Sequence, residues 1–225
     1  MFTALLDFLF PPRCPGCREY TEQLGDWCQA CREKYLMPKL FLEAEGDIEA
    51  VLCLCSYEGA VRDELRRLKF RRDEGALPYL HRMIQSGLTE EIDSSRRFRS
   101  YLADEKPVFV PVALHPQREK ERGFNQTVLL WREYLTARGY EWLEALERTI
   151  ETQPQYKLSK SEREENVRGA FGLRGEYSEQ VKGKTVVLVD DILTSGATLR
   201  ACAHELKKAQ PKKILAITLA SGRDL

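Results

Sequence analysis

Residues 186–198 read Val-Val-Leu-Val-Asp-Asp-Ile-Leu-Thr-Ser-Gly-Ala-Thr, an order that few folds can accommodate. An apolar, β-branched run that stops at two carboxylates is the pattern of a strand buried on both faces, as in a parallel sheet covered by helices. Asp190 and Asp191 then stand at the strand's carboxyl end. Thr194-Ser195-Gly196 leads into Ala197 and Thr198 and a helical pattern in which Leu199, Cys202, Ala203, Leu206 and Ala209 share one face. Backbone N–H groups at such a helix start, with the hydroxyls of Thr194, Ser195 and Thr198, suit a phosphate monoester. Gly196 lets the backbone come close to it. Two adjacent carboxylates can accept hydrogen bonds from a pair of neighbouring sugar hydroxyls, so the whole segment suits a ribose 5-phosphate.

A nucleoside-triphosphatase is the competing reading, since apolar residues before Asp-Asp also resemble a metal-binding strand end. It needs a phosphate loop, and Gly183-Lys184-Thr185 is the one candidate. The glycine required five positions earlier is Ser178, and this Gly-Lys-Thr runs into a strand instead of opening a helix. An ordinary acidic strand end with a polar turn leaves the ordered carboxylates, hydroxyls and glycine unexplained.

The rest of the second half alternates strand and helix signals. Val108 to Val112 is strand-like, Asn125 caps a helix to about Ala137, and Ile214 to Leu219 is the last strand. Leu143 to Ile150 is ambiguous between helix and strand. Earlier, Val51 to Cys55 reads as a strand on which Cys53 and Cys55 share a face as small buried hydrophobes. Tyr57 to Asp73 is helical, with Val61, Leu65 and Leu68 on one side. Arg62, Arg66, Arg67, Lys69, Arg71 and Arg72 form a basic stripe, with Tyr57 and Phe70 nearby. Gln85 to Lys106 is polar and aperiodic and is expected to be a surface excursion. The expectation is a parallel α/β sheet flanked by helices over residues 49–225, preceded by a separate module over residues 1–48.

That module carries two cysteine hooks, Cys14-Pro-Gly-Cys17 and Cys28-Gln-Ala-Cys31, separated by ten residues. Two thiolate hooks complete a tetrahedral sulfur site and leave no open position, so a structural zinc ribbon is expected rather than a catalytic metal. A cytoplasmic setting, with reduced thiols, favours zinc over disulfides. The stretch from Met1 to Pro12 is apolar but lacks a basic start, carries Asp7 and ends at two prolines. It reads as a short docked helix, with membrane association at most peripheral and no transmembrane segment. The 35 basic and 35 acidic side chains cancel, so general attraction to nucleic acid is not implied and any such affinity must be local.

Val187 to Thr198 resembles the phosphoribosyl pyrophosphate (PRPP) motif of type I phosphoribosyltransferases, and the whole chain resembles the ComF family, competence-associated proteins with an N-terminal zinc ribbon. The resemblance takes in Leu9-Phe10-Pro11-Pro12, Tyr57-Glu58-Gly59, Leu68-Lys69-Phe70, Pro111 to Pro116, Arg122 to Gln126, Thr152 to Gln155 and Gly169-Ala170-Phe171. It implies a type I phosphoribosyltransferase fold in which Asp190 and Asp191 meet the ribose hydroxyls, while Thr194, Ser195, Gly196, Ala197 and Thr198 hold the 5-phosphate. It further implies magnesium with PRPP, pyrophosphate contacts from the loop carrying Arg118, Lys120 and Arg122, and a closing segment from Thr152 to Asn166 with Lys157. Asp190, Asp191, Arg122 and Lys157 are thus the implied catalytic residues. His115 is expected to cap a loop rather than to transfer protons.

Two functions follow from the resemblance. One is a PRPP-dependent phosphoribosyltransferase acting in DNA uptake, natural transformation or use of imported DNA, alongside the competence machinery. The other is a non-catalytic accessory that holds single-stranded DNA through the ribbon and basic stripe, with PRPP as a regulatory ligand. A conventional nucleobase salvage enzyme is disfavoured by the zinc ribbon and the loop around Arg122.

Overall fold

The apolar runs singled out above become the middle of one sheet. A computed structural model describes residues 11–42, 46–89, 92–102, 106–150, 167 and 169–222, and every structural statement below concerns those residues. In chain order they form α1 (Gln29–Tyr35), β1 (Leu36–Leu42), β2 (Ala50–Ser56), α2 (Gly59–Arg71), α3 (Leu77–Gly87), α4 (Asp93–Ser100) and β3 (Val108–Pro111). Then come α5 (Pro116–Arg122), α6 (Gln126–Thr136), β4 (Glu141–Trp142), β5 (Leu146–Arg148), β6 (Phe171–Leu173), α7 (Ser178–Val181), β7 (Thr185–Leu193), α8 (Ala197–Lys207) and β8 (Lys213–Ser221).

The main sheet has the order β1-β2-β8-β7-β3-β4. Its pairings are parallel except β1 on β2, which is antiparallel. β1 falls within the N-terminal 48 residues and still joins this sheet. Alternate residues of β7 and β8 feed two cores. Val187, Val189, Leu215 and Ile217 meet α2, α3 and α6 on one face. Val186, Leu188, Ile214 and Ala216 meet α8 and the β5–β6 ribbon on the other. Burial on both sides is why these strands lack polar alternation. Each fully buried leucine, such as Leu65, Leu130 or Leu188, contributes roughly 1.5–3 kcal/mol to this packing.

Two regions differ from the sequence reading. Gln85 to Lys106 is not an excursion: α3 runs on to Gly87, and α4 buries Phe98 and Ser95. Its polar residues hide the periodicity because backbone carbonyls satisfy them. Ser94 Oγ donates to the Pro38 carbonyl at 2.8 Å, and Ser95 Oγ donates to that of Gly87 at 2.5 Å. The ambiguous stretch Leu143–Ile150 contains a strand, β5, but it leaves the main sheet and pairs antiparallel with β6. The segment Thr152 to Asn166, with Lys157, lies outside the described residues, as does Met1 to Phe10. No helix among the described residues is long and apolar enough to cross a membrane.

Candidate functional site

β7 and β3 run side by side, and the Val112 N–H donates to the Val189 carbonyl at 3.0 Å, so both strands end at the same edge of the sheet. Over this edge lie the β7–α8 loop and the loop that carries α5. Asp190 and Asp191 are both buried, 9% and 4% exposed. Asp190 Oδ1 accepts the Asp191 backbone N–H at 2.9 Å, and the Thr127 hydroxyl lies 3.5 Å from the same oxygen. The Trp131 indole N–H donates to the Asp190 carbonyl at 3.0 Å. Trp131 is fully buried on α6, whose start is fixed by Asn125: its Oδ1 accepts the Thr127 N–H at 3.0 Å and its Nδ2 donates to the Val112 carbonyl at 3.2 Å. The asparagine cap thus ties α6 to β3, and α6 in turn braces the first aspartate.

Beyond the carboxylates, Gly196 takes φ +79° as the cap of α8, a left-handed conformation that glycine adopts at low cost. Ser195 is buried; its Oγ lies 3.4 Å from the Ala197 N–H and its carbonyl accepts from Arg200 at 3.0 Å. Thr194 and Thr198 are half-buried beside it. Hydroxyls and the first N–H groups of an 11-residue helix therefore gather at one end of the loop, and two carboxylates at the other.

Cations surround the diacid. Lys69 Nζ, from α2, lies 2.7 Å from Asp191 Oδ2, with only 16% and 5% of the two side chains exposed. Apart from this ammonium, the buried Oδ2 has no hydrogen-bond donor among the described residues. Arg122, half-buried at the end of α5, hydrogen-bonds Gln126 Oε1. Burial lowers its pKa, while the Asp191 charge pulls the other way and Arg118 adds to the lowering. Arg148 on β5 is 8% exposed and stacks 5.1 Å from the Phe171 ring; burial lowers its pKa, and the field of Arg118 lowers it further against that of Asp190. Asp190 itself is pushed up to about 7, by burial first and by the Asp191 charge second. His115, expected to cap a loop, caps the start of α5, its Nδ1 accepting the Gln117 N–H at 3.2 Å.

The sequence puts Lys69 in a basic stripe with Arg62, Arg66, Arg67, Arg71 and Arg72, and the fold divides that stripe. Arg67 turns to Glu64 at 2.6 Å and to Asp73 at 2.7 Å, and Lys69 enters the site. Arg66, Arg71 and Arg72 stay exposed, and Arg62 pairs loosely with Asp63 at 3.5 Å. Helical periodicity cannot separate these fates, because the partner of Lys69 lies 122 residues away.

In the N-terminal module, the thiols of Cys14, Cys17, Cys28 and Cys31 all lie within 4.8 Å of one another. Zn–S bonds of about 2.3 Å put the sulfurs of a tetrahedral site roughly 3.8 Å apart, so the cluster suits zinc. The first knuckle closes through the Cys14 N–H to Glu19 O at 2.8 Å and the Arg18 N–H to Cys14 O at 3.0 Å. Burial raises the Cys14 pKa, but N–H groups of Cys17, Cys28 and Gly16 outweigh it and bring the thiol down to about 7. A Cβ on Gly16 would sit 2.6 Å from Cys31 Sγ, so the two hooks can nest only with glycine there. The ribbon docks on α3 through the Trp27 N–H to the Tyr79 carbonyl at 2.9 Å and Asp26 to Arg82 at 2.7 Å. Four cysteines would fill a tetrahedral zinc's coordination and leave no position for a substrate, so the site is structural.

Comparison with known proteins agrees with both halves. Residues 137–224 match the phosphoribosyl transferase domain, and residues 5–40 match the double zinc ribbon domain. The fold and site together define a protein of the phosphoribosyltransferase type with a zinc ribbon at its N-terminus. The chain is 29% identical to competence protein ComFC of Streptococcus pneumoniae over 211 residues, 92% of this chain and 79% of that one. To DNA utilization protein YhgH of Escherichia coli K12 it is 30% identical over 198 residues, 86% and 83% of the two chains. To competence protein ComFC of Bacillus subtilis it is 30% identical over 167 residues, 73% and 61%. With relatives of this likeness across most of its length, the chain belongs to the ComF family.

Proposed function

We propose that this protein binds PRPP, with magnesium, at the loop from Asp190 to Thr198 and transfers its phosphoribosyl group in the handling of incoming DNA. The observation that carries this reading is the shared edge of β7 and α8. There two buried carboxylates stand beside a glycine-capped helix start lined by Ser195, Thr194 and Thr198. One end suits a ribose diol and the other a 5-phosphate. The names of the relatives, competence and DNA utilization proteins, support the DNA context.

In such a transfer the bond from the ribose anomeric carbon to pyrophosphate breaks, and a bond to the acceptor forms at the same carbon. Asp190 and Asp191 would hold the ribose hydroxyls, and the loop hydroxyls and N–H groups the phosphate, fixing the reacting carbon in place. Arg122 faces Asp191 from α5 and would meet the departing pyrophosphate's negative charge. Lys157 would reach it from the segment outside the described residues. Magnesium, a hard cation, would supply positive charge against the oxygens of the bound PRPP.

A second reading is a single-stranded-DNA accessory with PRPP as its regulator. It draws on Arg66 and Arg71, which remain exposed, and on Phe70, which is 61% exposed beside them. Incubation with PRPP and magnesium, with and without single-stranded DNA or free bases, separates the two. Pyrophosphate released only with an acceptor supports transfer. PRPP that alters DNA affinity without any release supports the accessory role, and neither result would sink both.

A further inference from the structure

α2 does not need Lys69 to hold it down. Val61, Leu65 and Leu68 are fully buried beneath it, and Arg67 ties its end to Asp73. Yet the last turn of this helix sends one lysine inward to Asp191, while its neighbours Arg66 and Arg71 stay in water. Burying an ammonium sacrifices hydration and rotamer freedom, and an ion pair of this kind is weak evidence for a role in stability. What the contact does achieve is local. It places a positive charge on Asp191 and leaves Oδ2 a second lone pair with no other donor among the described residues.

We propose that Lys69 is a positioning residue of the diol site, offsetting the charge of one carboxylate so that Asp190 and Asp191 can act together as acceptors for vicinal hydroxyls. This rests on the reading of those carboxylates as ribose ligands and adds a residue that the PRPP loop does not contain. Two adjacent buried carboxylates repel, and Asp190 is already pushed up to about 7 by burial and then by Asp191. Lys69, the Asp191 N–H and the Thr127 hydroxyl work against that rise. The other charged or titratable groups facing the pair are Arg122 from α5, Arg148 from β5 and Cys202 from α8, with Arg118 acting on the two arginines and Glu205 on Cys202. Without Lys69 the proton on Asp190 persists to higher pH. A protonated carboxyl donates one hydrogen bond instead of accepting it, which spoils its match to a diol.

The test uses the full chain with its zinc, as wild type, Lys69→Met and Lys69→Arg, with Lys69→Gln in reserve if the methionine variant does not fold. PRPP affinity with magnesium is measured by calorimetry from pH 6.5 to 9, beside melting temperature. The methionine variant should bind about fivefold more weakly at pH 7, the fall in ionised Asp190 that follows when a midpoint near 7 moves up by about one unit. The deficit should narrow toward pH 9, and arginine should restore binding. A carboxyl carbon NMR titration of the ligand-free proteins should show the Asp190 midpoint moving up in the methionine variant. A folded variant with an unmoved Asp190 midpoint overturns the role of Lys69, whatever PRPP does. A moved midpoint with no PRPP binding even by wild type overturns the diol reading instead, and with it the role proposed here.

Discussion

Asp190→Asn should make the empty protein more stable at pH 8 and unable to use its ligand. The carboxyl sits beside Asp191 with little water, and its pKa rises from 3.8 to about 7. A raised acid binds more protons folded than unfolded, so its ionisation costs stability as pH climbs from about 4 through about 7. At 1.36 kcal/mol per unit, three units amount to roughly 4 kcal/mol at full ionisation. Asparagine keeps an oxygen for the Asp191 N–H at 2.9 Å but adds an NH₂ that needs an acceptor, which takes back part of that figure. The net gain should therefore be about 1–2 kcal/mol, or some 2–8 °C in melting temperature for a chain of this size. At pH 5.5 the unfolded carboxyl has lost its proton and the folded one has not, so only about half of that cost is in force and the gain should shrink by about 2 kcal/mol. Thermal melts of wild type and variant at both pH values give the answer. An asparagine variant no more stable at pH 8, or equally stabilised at both, would refute the claim that folding strains this carboxylate for function.

Three further outcomes are expected. Gly16→Ala should cut zinc content well below one ion per chain by elemental analysis, because its Cβ would lie 2.6 Å from Cys31 Sγ; full occupancy would show that the hooks can spread. Trp131→Phe should cost about 2–4 kcal/mol in urea unfolding, from the cavity and from the Asp190 carbonyl losing its donor at 3.0 Å, and a loss under 1 kcal/mol would mean that this brace is dispensable. Arg66→Glu with Arg71→Glu should leave the melting temperature unchanged yet flatten the salt dependence of single-stranded DNA binding by about 0.7 per lost phosphate contact. An unaltered slope would show these arginines to be a solvated face.

What could be read from the sequence was local. The β7 strand, its two aspartates and the hydroxyl-glycine turn lie within a dozen consecutive residues, and the cysteine hooks are short repeats of one spacing. The caps at Asn125 and His115 were equally legible, since each bonds an N–H two residues on. What stayed hidden depends on residues far apart in the chain. Lys69 looked like one more cation on a helix until the crossing of α2 over the sheet edge brought it to Asp191. Arg148 lay in a stretch that reads as either helix or strand, and its burial against Phe171 exists only once β5 and β6 pair. α4 was missed because serines bonded to Pro38 and Gly87 carbonyls stand where apolar residues would have shown the period.

The central claim is that Asp190 and Asp191 form a sugar-binding pair on a phosphoribosyltransferase fold. Calorimetry with PRPP and magnesium tests it most directly, comparing wild type with Asp190→Ala/Asp191→Ala in protein whose zinc content is verified. Saturable binding by wild type is predicted, with binding lost or severely weakened in the double variant while the ribbon keeps its metal. Equal PRPP affinity in the two proteins, both folded, would contradict the account.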